Sequence, residues 1–193
     1  MRALIVYCHP RGDSFSAALR DSVGSSLAAR GHVVDLLDLY ADGFDPVLSA
    51  EERGRYHSEG SNLVGIEDHV ARLRAAEALV LVYPTWWYGM PAMLKGWFDR
   101  IWVPGVAFSL GPGAIRPGLR TIRRLAVVTT YGSPKWLLLA IGRPDRKLIG
   151  RGIRRLCARN CTLEWLALTR MDRRTRAECE AFRDRVAAHF SRW

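Results

Sequence analysis

The chain has 193 residues, of which 49% are hydrophobic and 25% charged, as in a globular protein that is large enough to bury a substantial core. No apolar run approaches the roughly 20 residues that span a bilayer, and the apolar start of the chain is too short for a signal peptide, so a cytoplasmic location is expected. The net charge of +10 is concentrated between residues 143 and 159, where it could attract phosphorylated cofactors, nucleic acid or anionic membrane, or form a solvated basic helix.

Strand and helix patterns alternate along the first half of the chain. An apolar run at residues 3–8 predicts the first strand, and residues 14–30 carry apolar side chains at helical spacing. Gly31 is placed to end that helix as a C-cap. The pattern then predicts a strand at 32–39, a helix at 63–75, a strand at 78–83 and a helix at 91–102.

The same alternation continues to the end of the chain. The prediction is a strand at 125–130, a helix at 146–159 that Asn160 caps in the left-handed conformation, a strand at 162–169, and a final helix that starts with the capping box Thr175–Glu178. Two long loops remain, at 41–62 and 104–119. The second is rich in Gly and Pro, and a loop of this length is often functional or mobile.

Five strands that alternate with helices indicate an α/β fold, a parallel sheet with helices on both faces, in one domain over residues 1–193. Ligands bind such sheets beyond the carboxyl ends of the strands, at the topological switch point. In the strand order 2-1-3-4-5 this point lies between strands one and three. The loops after strands one, three and four are therefore expected to form one site.

The loop after strand three is the most informative. Thr85 is followed by three adjacent aromatic residues, Trp86, Trp87 and Tyr88, and then by Gly89. Aromatic side chains at this solvent-facing edge favour a flat ligand that lies against them, and the alternative is a local hydrophobic plug.

The other two loops are individually weaker evidence. After strand one, Ser14 and Ser16 stand at a helix N-terminus, a natural phosphate site, with His9 nearby. An ordinary N-cap explains the same serines. After strand four, Thr129, Thr130 and Gly132 could present polar groups to the edge of a ring, or form a plain turn.

The sequence lacks the motifs of other nucleotide-binding, hydrolytic and metal-binding sites. The sequence has no P-loop and no complete dinucleotide fingerprint, and its histidines lack the spacing of metal ligands or of a catalytic triad. The cysteines, at positions 8, 157, 161 and 179, lack zinc-site spacing, and we interpret them as structural thiols.

The pattern resembles the flavodoxin-like NAD(P)H:quinone oxidoreductase family of the DT-diaphorase type, which includes azoreductase-like reductases and regulatory flavoproteins of potassium efflux. The block from Pro84 to Arg100 is the most specific element of the resemblance. Weaker blocks are His9 with Ser14–Ser16, Asp38–Tyr40 with Phe44–Pro46, and Thr129–Thr130 with Gly132.

The resemblance implies a flavodoxin-like three-layer sandwich and a non-covalent flavin, FAD or FMN with FAD favoured. It also implies NADPH or NADH as donor, a quinone or similar electrophile as acceptor, and a homodimer with the active site at the interface. The implied catalytic residues are Trp87, Tyr88 and Tyr131. The implied cofactor-binding residues are His9, Ser14, Phe15, Ser16, Thr85, Trp86, Trp87, Tyr88, Thr129, Thr130, Tyr131 and Gly132.

One departure from the family affects the predicted activity. Leu137 and Arg143 stand where other members have a Tyr and a His thought to assist hydride transfer, and the run 136–141 is unusually apolar. An alternative function is therefore a regulatory flavoprotein that binds a potassium-efflux type of membrane transport system. Nucleic-acid binding is not expected, because the basic segment lacks a recognisable motif and interleaved aromatics.

Overall fold

A computed structural model describes residues 1–111 and 114–193 of the chain. In chain order the elements are β1 (Arg2–Tyr7), α1 (Phe15–Ala29), β2 (Val33–Asp38), α2 (Ala50–Arg55), α3 (Glu67–Ala75), β3 (Ala78–Pro84), α4 (Ala92–Ile101), β4 (Phe108–Gly111), β5 (Ala114–Pro117), β6 (Arg124–Thr130), α5 (Lys135–Ile141), α6 (Pro144–Lys147), β7 (Thr162–Leu168) and α7 (Arg176–Phe190).

The main sheet has five parallel strands in the order β2-β1-β3-β6-β7. This is the predicted order 2-1-3-4-5, because β4 and β5 form a separate antiparallel hairpin. The flavodoxin-like sheet predicted from the sequence is confirmed. The carboxyl ends of β1, β3 and β6 lie side by side, as the predicted site requires.

Each face of the sheet carries its own hydrophobic core. Ala3, Ile5 and Tyr7 of β1 pack with α1 and α7, while Leu4 and Val6 pack with α3 and α4 on the other face. Successive strand residues point to opposite faces, so a buried parallel strand must be apolar at every position. The result is the expected three-layer sandwich. Among the described residues, no helix combines the length and apolar composition that a membrane crossing requires.

Both predicted long loops contain regular structure. Residues 41–62 include α2, which begins with a capping box of Ser49 and Glu52. Residues 104–119 include the hairpin of β4 and β5, and Pro112 and Gly113 of that segment lie outside the described residues. Each hairpin strand has only four residues, too few for a clear alternating pattern.

The predicted helix at 146–159 is wrong as a single element. Helix α6 ends at Lys147, and the chain continues through a wide π-helical turn at Leu148–Gly152 and a 3₁₀ turn at Ile153–Leu156. Gly150 and Gly152 fall in this stretch, where glycine disfavours a regular helix. Asn160 is not in the left-handed conformation predicted for it. The apolar run after Lys135 forms α5, an unpredicted helix.

Candidate functional site

The loops after β1, β3 and β6 meet at the carboxyl edge of the sheet and line two adjoining cavities. An aromatic cavity of about 440 Å³ is lined by Thr85, Trp86, Trp87, Tyr88, Tyr131, Gly132, Ser133 and Asp172. A helix cavity of about 360 Å³ is lined by His9, Ser14, Phe15, Ser16, Pro84, Thr85, Trp86, Thr130, Gly132, Met171 and Asp172. Because the cavities share Thr85, Trp86, Gly132 and Asp172, they form one elongated cleft.

One end of the cleft is the N-terminus of α1. Ser14 is the N-cap, and its hydroxyl accepts a hydrogen bond from the Ala17 amide at 3.1 Å. Within the described residues, the amides of Phe15 and Ser16 have no acceptor. Two free N–H groups and the positive end of the helix dipole therefore face this cavity, an arrangement that suits an anion.

His9 belongs to the same end of the cleft. Its Nδ1 lies 3.0 Å from the Arg11 amide, which orients the ring, and the ring centroid is 6.2 Å from that of Trp86. Arg11 itself forms an exposed ion pair with Asp13 at 2.7 Å. His9 thus links the helix end of the cleft to the aromatic end.

The other end is a tight turn built from aromatic residues. The amide of Trp86 donates to the Gly89 carbonyl at 3.2 Å, and the Gly89 amide donates to the Trp86 carbonyl at 3.0 Å. The two central residues, Trp87 and Tyr88, have φ of 50° and 61°. This is a type I′ turn, for which Asn-Gly is the usual sequence.

Bulky residues in the left-handed region are strained, at roughly 1–2 kcal/mol each. Burial of Trp87 gives no compensation, because the side chain is 95% exposed. Tyr88 is better supported, since its hydroxyl accepts a hydrogen bond from Ser133 Oγ at 3.3 Å. Uncompensated strain beside a cleft points to a functional requirement for aromatic side chains here.

The threonines of the site differ in exposure. Thr129 is fully buried and its hydroxyl lies 2.9 Å from that of Thr85, so Thr129 supports the cleft from behind and does not line it. Thr130 and Thr85 line the helix cavity, and the Thr85 amide donates to the Thr130 carbonyl at 2.8 Å. These contacts join the ends of β3 and β6.

Tyr131 lines the aromatic cavity, but its hydroxyl points away from solvent. It donates to Asp145 Oδ2 at 2.6 Å, and both residues are buried. Burial, together with this hydrogen bond, raises the pKa of Tyr131 well above that of a free tyrosine. The Tyr131 hydroxyl therefore stays protonated and engaged, and it anchors α6 to the loop after β6.

We expect the substitution Tyr131→Phe to lower the free energy of unfolding by about 1–2 kcal/mol at pH 7, since Asp145 would lose a donor. The raised folded-state pKa favours the protonated hydroxyl, so the contribution of Tyr131 is complete below about pH 10, the pKa of an unfolded tyrosine, and declines above it. Urea unfolding of both proteins at pH 7 and pH 11 measures this. A difference between the proteins that stays constant with pH would contradict the prediction.

Two acidic residues of the site were missed in the sequence. Asp172 follows β7 and lies close to Gly132, where a Cβ atom would come within 2.8 Å of Asp172 Oδ2. The carboxyl end of β7 is also an edge position, and this signal could have revealed Asp172. Asp145 is separated in sequence from its partner Tyr131, and no local pattern marks it. Leu137 and Arg143 line neither cavity of the cleft.

The sequence of this chain is similar to those of several known proteins. Residues 1–149 match a family described as having a flavodoxin-like fold. An uncharacterized NAD(P)H oxidoreductase, YcaK of Escherichia coli K12, is 37% identical over 117 residues, 57% of each chain. Rat NAD(P)H dehydrogenase [quinone] 1 is 30% identical over 148 residues, which cover 68% of this chain and 54% of the rat protein. The chain thus spans little more than half the length of these relatives.

Two solved structures match almost the entire chain. Smu.1420 from Streptococcus mutans UA159 is 29% identical, with a TM-score of 0.87 and full coverage of both chains. The NAD(P)H:quinone oxidoreductase from Methanothermobacter marburgensis is 28% identical, with a TM-score of 0.81, over 99% of this chain and 96% of that protein.

Proposed function

Given that the chain belongs to the flavodoxin-like NAD(P)H:quinone oxidoreductase family, we propose that it binds a flavin in the cleft and transfers two electrons from NAD(P)H to a quinone or similar electrophile. One observation carries the proposal: the cleft joins a helix N-terminus with free amides to a turn of exposed aromatic residues. A flavin nucleotide has a matching shape, with phosphate at one end and a flat ring system at the other.

The residues of the cleft fit this ligand chemically. The amides of Phe15 and Ser16 would hold the phosphate, and the dipole of α1 would offset part of its charge. At the other end, Trp86, Trp87 and Tyr88 would flank the ring, while Gly132 would allow the backbone to approach the ring edge. Thr129 would act indirectly, by positioning Thr85.

When bound, the flavin would accept a hydride from NAD(P)H and deliver it to the acceptor. The protein would hold the ring flat, align the donor and the acceptor with the ring, and exclude water from one side of it. Backbone amides of the loop after β6 would stabilise negative charge at the ring edge. No acid–base pair is required of the protein, in agreement with a Tyr131 hydroxyl that is already committed to Asp145.

The names of the relatives support the proposed donor and acceptor, since they specify NAD(P)H for YcaK and both NAD(P)H and quinone for the rat and Methanothermobacter proteins. We extend to this chain the remaining expectations from the sequence: FAD or FMN as cofactor, a cytoplasmic homodimer with the site at its interface, and one domain over residues 1–193. The 95% exposure of Trp87 supports a second chain that covers the cleft.

A visible absorption spectrum of the purified protein, after addition of FMN or FAD and removal of the excess, tests the proposal. Flavin bands near roughly 375 and 450 nm should persist and should bleach on anaerobic addition of NADPH or NADH. A protein that stays colourless with both flavins would refute flavin binding. A coloured protein that neither NADPH nor NADH bleaches would refute the proposed donor reaction.

The substitution Ser14→Asp tests whether the N-terminus of α1 binds the phosphate of the flavin. Asp is as good an N-cap as Ser, so the stability of α1 should be kept, while the new charge would repel a phosphate. We expect flavin affinity to fall at least tenfold, about 1.4 kcal/mol. Ser49→Asp at the N-cap of α2 is the matched control and should leave flavin affinity unchanged. Equal effects of the two substitutions on flavin affinity would contradict the assignment of the phosphate to the N-terminus of α1.

A regulatory flavoprotein that binds a potassium-efflux type of transport system is a second candidate. It is favoured by the surface of α5, where Trp136 and Leu139 are 65% and 56% exposed. Slow oxidation of NADPH with every acceptor, together with co-purification of a membrane transporter, would favour it over the reductase.

A further inference from the structure

A strongly basic pair of cavities lies outside the cleft. The first, of about 590 Å³, is lined by Pro117, Arg120, Arg154, Arg155, Cys157, Ala158, Arg159 and Cys161. The second, of about 440 Å³, is lined by Gly142, Arg143, Arg146, Lys147, Gly150, Arg151, Arg154 and Leu163. The two share Arg154, and neither lining includes a carboxylate. They therefore adjoin at Arg154, and we refer to the two together as the basic groove.

The cationic side chains of the groove lack carboxylate partners. Two arginines outside the groove have such partners: Arg72 Nη2 lies 2.7 Å from Asp35 Oδ1, and Arg100 Nε lies 3.0 Å from Glu52 Oε1. In the described part of the chain, no cationic side chain of the groove makes an ion pair. So many cations without counter-charges repel one another, which a bound anion would relieve.

The acidic residue between positions 143 and 159 does not neutralise the groove. Asp145 is buried and accepts hydrogen bonds from the Tyr131 hydroxyl and from the Arg146 amide, at 2.6 and 2.7 Å. Its carboxylate thus faces the interior. The guanidinium of Arg146 instead lies over the ring of Trp165, 5.8 Å from its centroid.

Two guanidinium groups of the groove are held in place by backbone carbonyls. Arg154 donates to the carbonyls of Gly150 and Cys161, at 3.3 and 3.1 Å, and Arg120 donates to the Pro117 carbonyl at 3.2 Å. A carbonyl fixes the orientation of a guanidinium without neutralising its charge. The remaining N–H groups are therefore oriented and available for an anion, and a guanidinium fork suits phosphate in particular.

We propose that the basic groove is a binding site for a small molecule that carries two or more phosphate groups. The volumes of both cavities lie in the range of small-molecule sites, and each cavity is lined by at least four cationic side chains, enough for a phosphate in each. A nucleic acid fits less well, since neither lining includes an aromatic residue on which bases could stack. This inference does not depend on flavin binding in the cleft.

Calorimetric titration of the purified protein with inorganic pyrophosphate tests the proposal. We expect saturable binding of pyrophosphate to the groove that weakens as salt is raised. The double substitution Arg155→Gln/Arg159→Gln should weaken binding about tenfold or more, through the loss of charge-assisted hydrogen bonds. These two side chains make no hydrogen bond with the described residues, so the fold should be unaffected.

The double substitution Arg30→Gln/Arg192→Gln is the matched control. It removes the same charge from exposed arginines outside the groove and should change the affinity less than about twofold, because distant surface charges are screened. Equal losses in the two variants would overturn the proposal in favour of general charge attraction. No saturable binding of pyrophosphate, or binding only of a DNA duplex, would also overturn it.

Competition identifies the source of the phosphates once pyrophosphate binds. Displacement of pyrophosphate by NADP⁺ but not by NAD⁺ would assign the groove to a ligand with the extra 2′-phosphate, and would support a preference for NADPH as donor. Failure of both dinucleotides to displace it would support a separate phosphorylated ligand.

Discussion

The substitution Trp87→Gly is expected to stabilise the fold by about 1 kcal/mol and to weaken flavin binding at least tenfold. Trp87 has φ of 50° and is 95% exposed, so glycine would remove strain while sacrificing almost no packing. The same change would remove an aromatic face from the cleft. Chemical denaturation of the flavin-free protein and a flavin titration would measure the two effects separately.

The matched control for stability is Trp136→Gly. Trp136 is also exposed, at 65%, but it lies in α5, where the left-handed conformation does not occur. Glycine there should destabilise the fold by about 0.5 kcal/mol, because helical glycine costs more than helical Trp. If Trp87→Gly also lowers stability, the turn is not strained, and the structural argument for a functional aromatic turn fails.

The sheet and its order could be predicted because local signals and topology agree. Strands β1, β3 and β6 are apolar at nearly every position, as buried parallel strands must be. Helices α1 and α7, which cover one face of the sheet, have side-chain caps, at Ser14 for α1 and Thr175 for α7. With the strands in place, the edge that carries the cleft follows from the fold alone.

The conformation of the aromatic turn could not be predicted, because its residues disfavour it. A type I′ turn is normally recognised by Asn or Gly, whereas here Trp87 and Tyr88 occupy the left-handed positions. The partners Tyr131 and Asp145 are a different case. Their contact depends on how the segment after α5 folds back, and the sequence pattern suggested one regular helix there instead.

The most specific block of the sequence has a structural explanation in the contact between α4 and the loop before α2. Gly96 lies directly against Pro46, and Arg100 of the same helix bonds the carbonyl of Asp45 and the carboxylate of Glu52. Two separate blocks of the family resemblance, at residues 44–46 and 84–100, therefore meet at one interface. A pattern of helical periodicity alone contains no information about this close approach.

The substitution Gly96→Ala is consequently expected to lower the free energy of unfolding by about 3 kcal/mol or more, the upper range for overpacking. A Cβ atom at Gly96 would lie 2.2 Å from the carbonyl oxygen of Pro46 and 2.5 Å from its Cα atom. Backbone atoms cannot rotate away as a flexible side chain does, so the loop must separate from α4. Because α4 begins three residues after Gly89, we also expect flavin binding to weaken.

Gly24→Ala is the matched control, since Gly24 also lies within a helix, α1. The nearest atom to its added Cβ would be Ile5 Cδ1, at 3.8 Å, an ordinary contact. Alanine should therefore stabilise the fold there by about 0.5–1 kcal/mol through its higher helix propensity. Thermal and urea unfolding measure the change in stability of each variant. The two changes should have opposite signs if close backbone packing at Gly96 holds the loop against α4. Stabilisation by both substitutions would show that the loop leaves this contact at little cost.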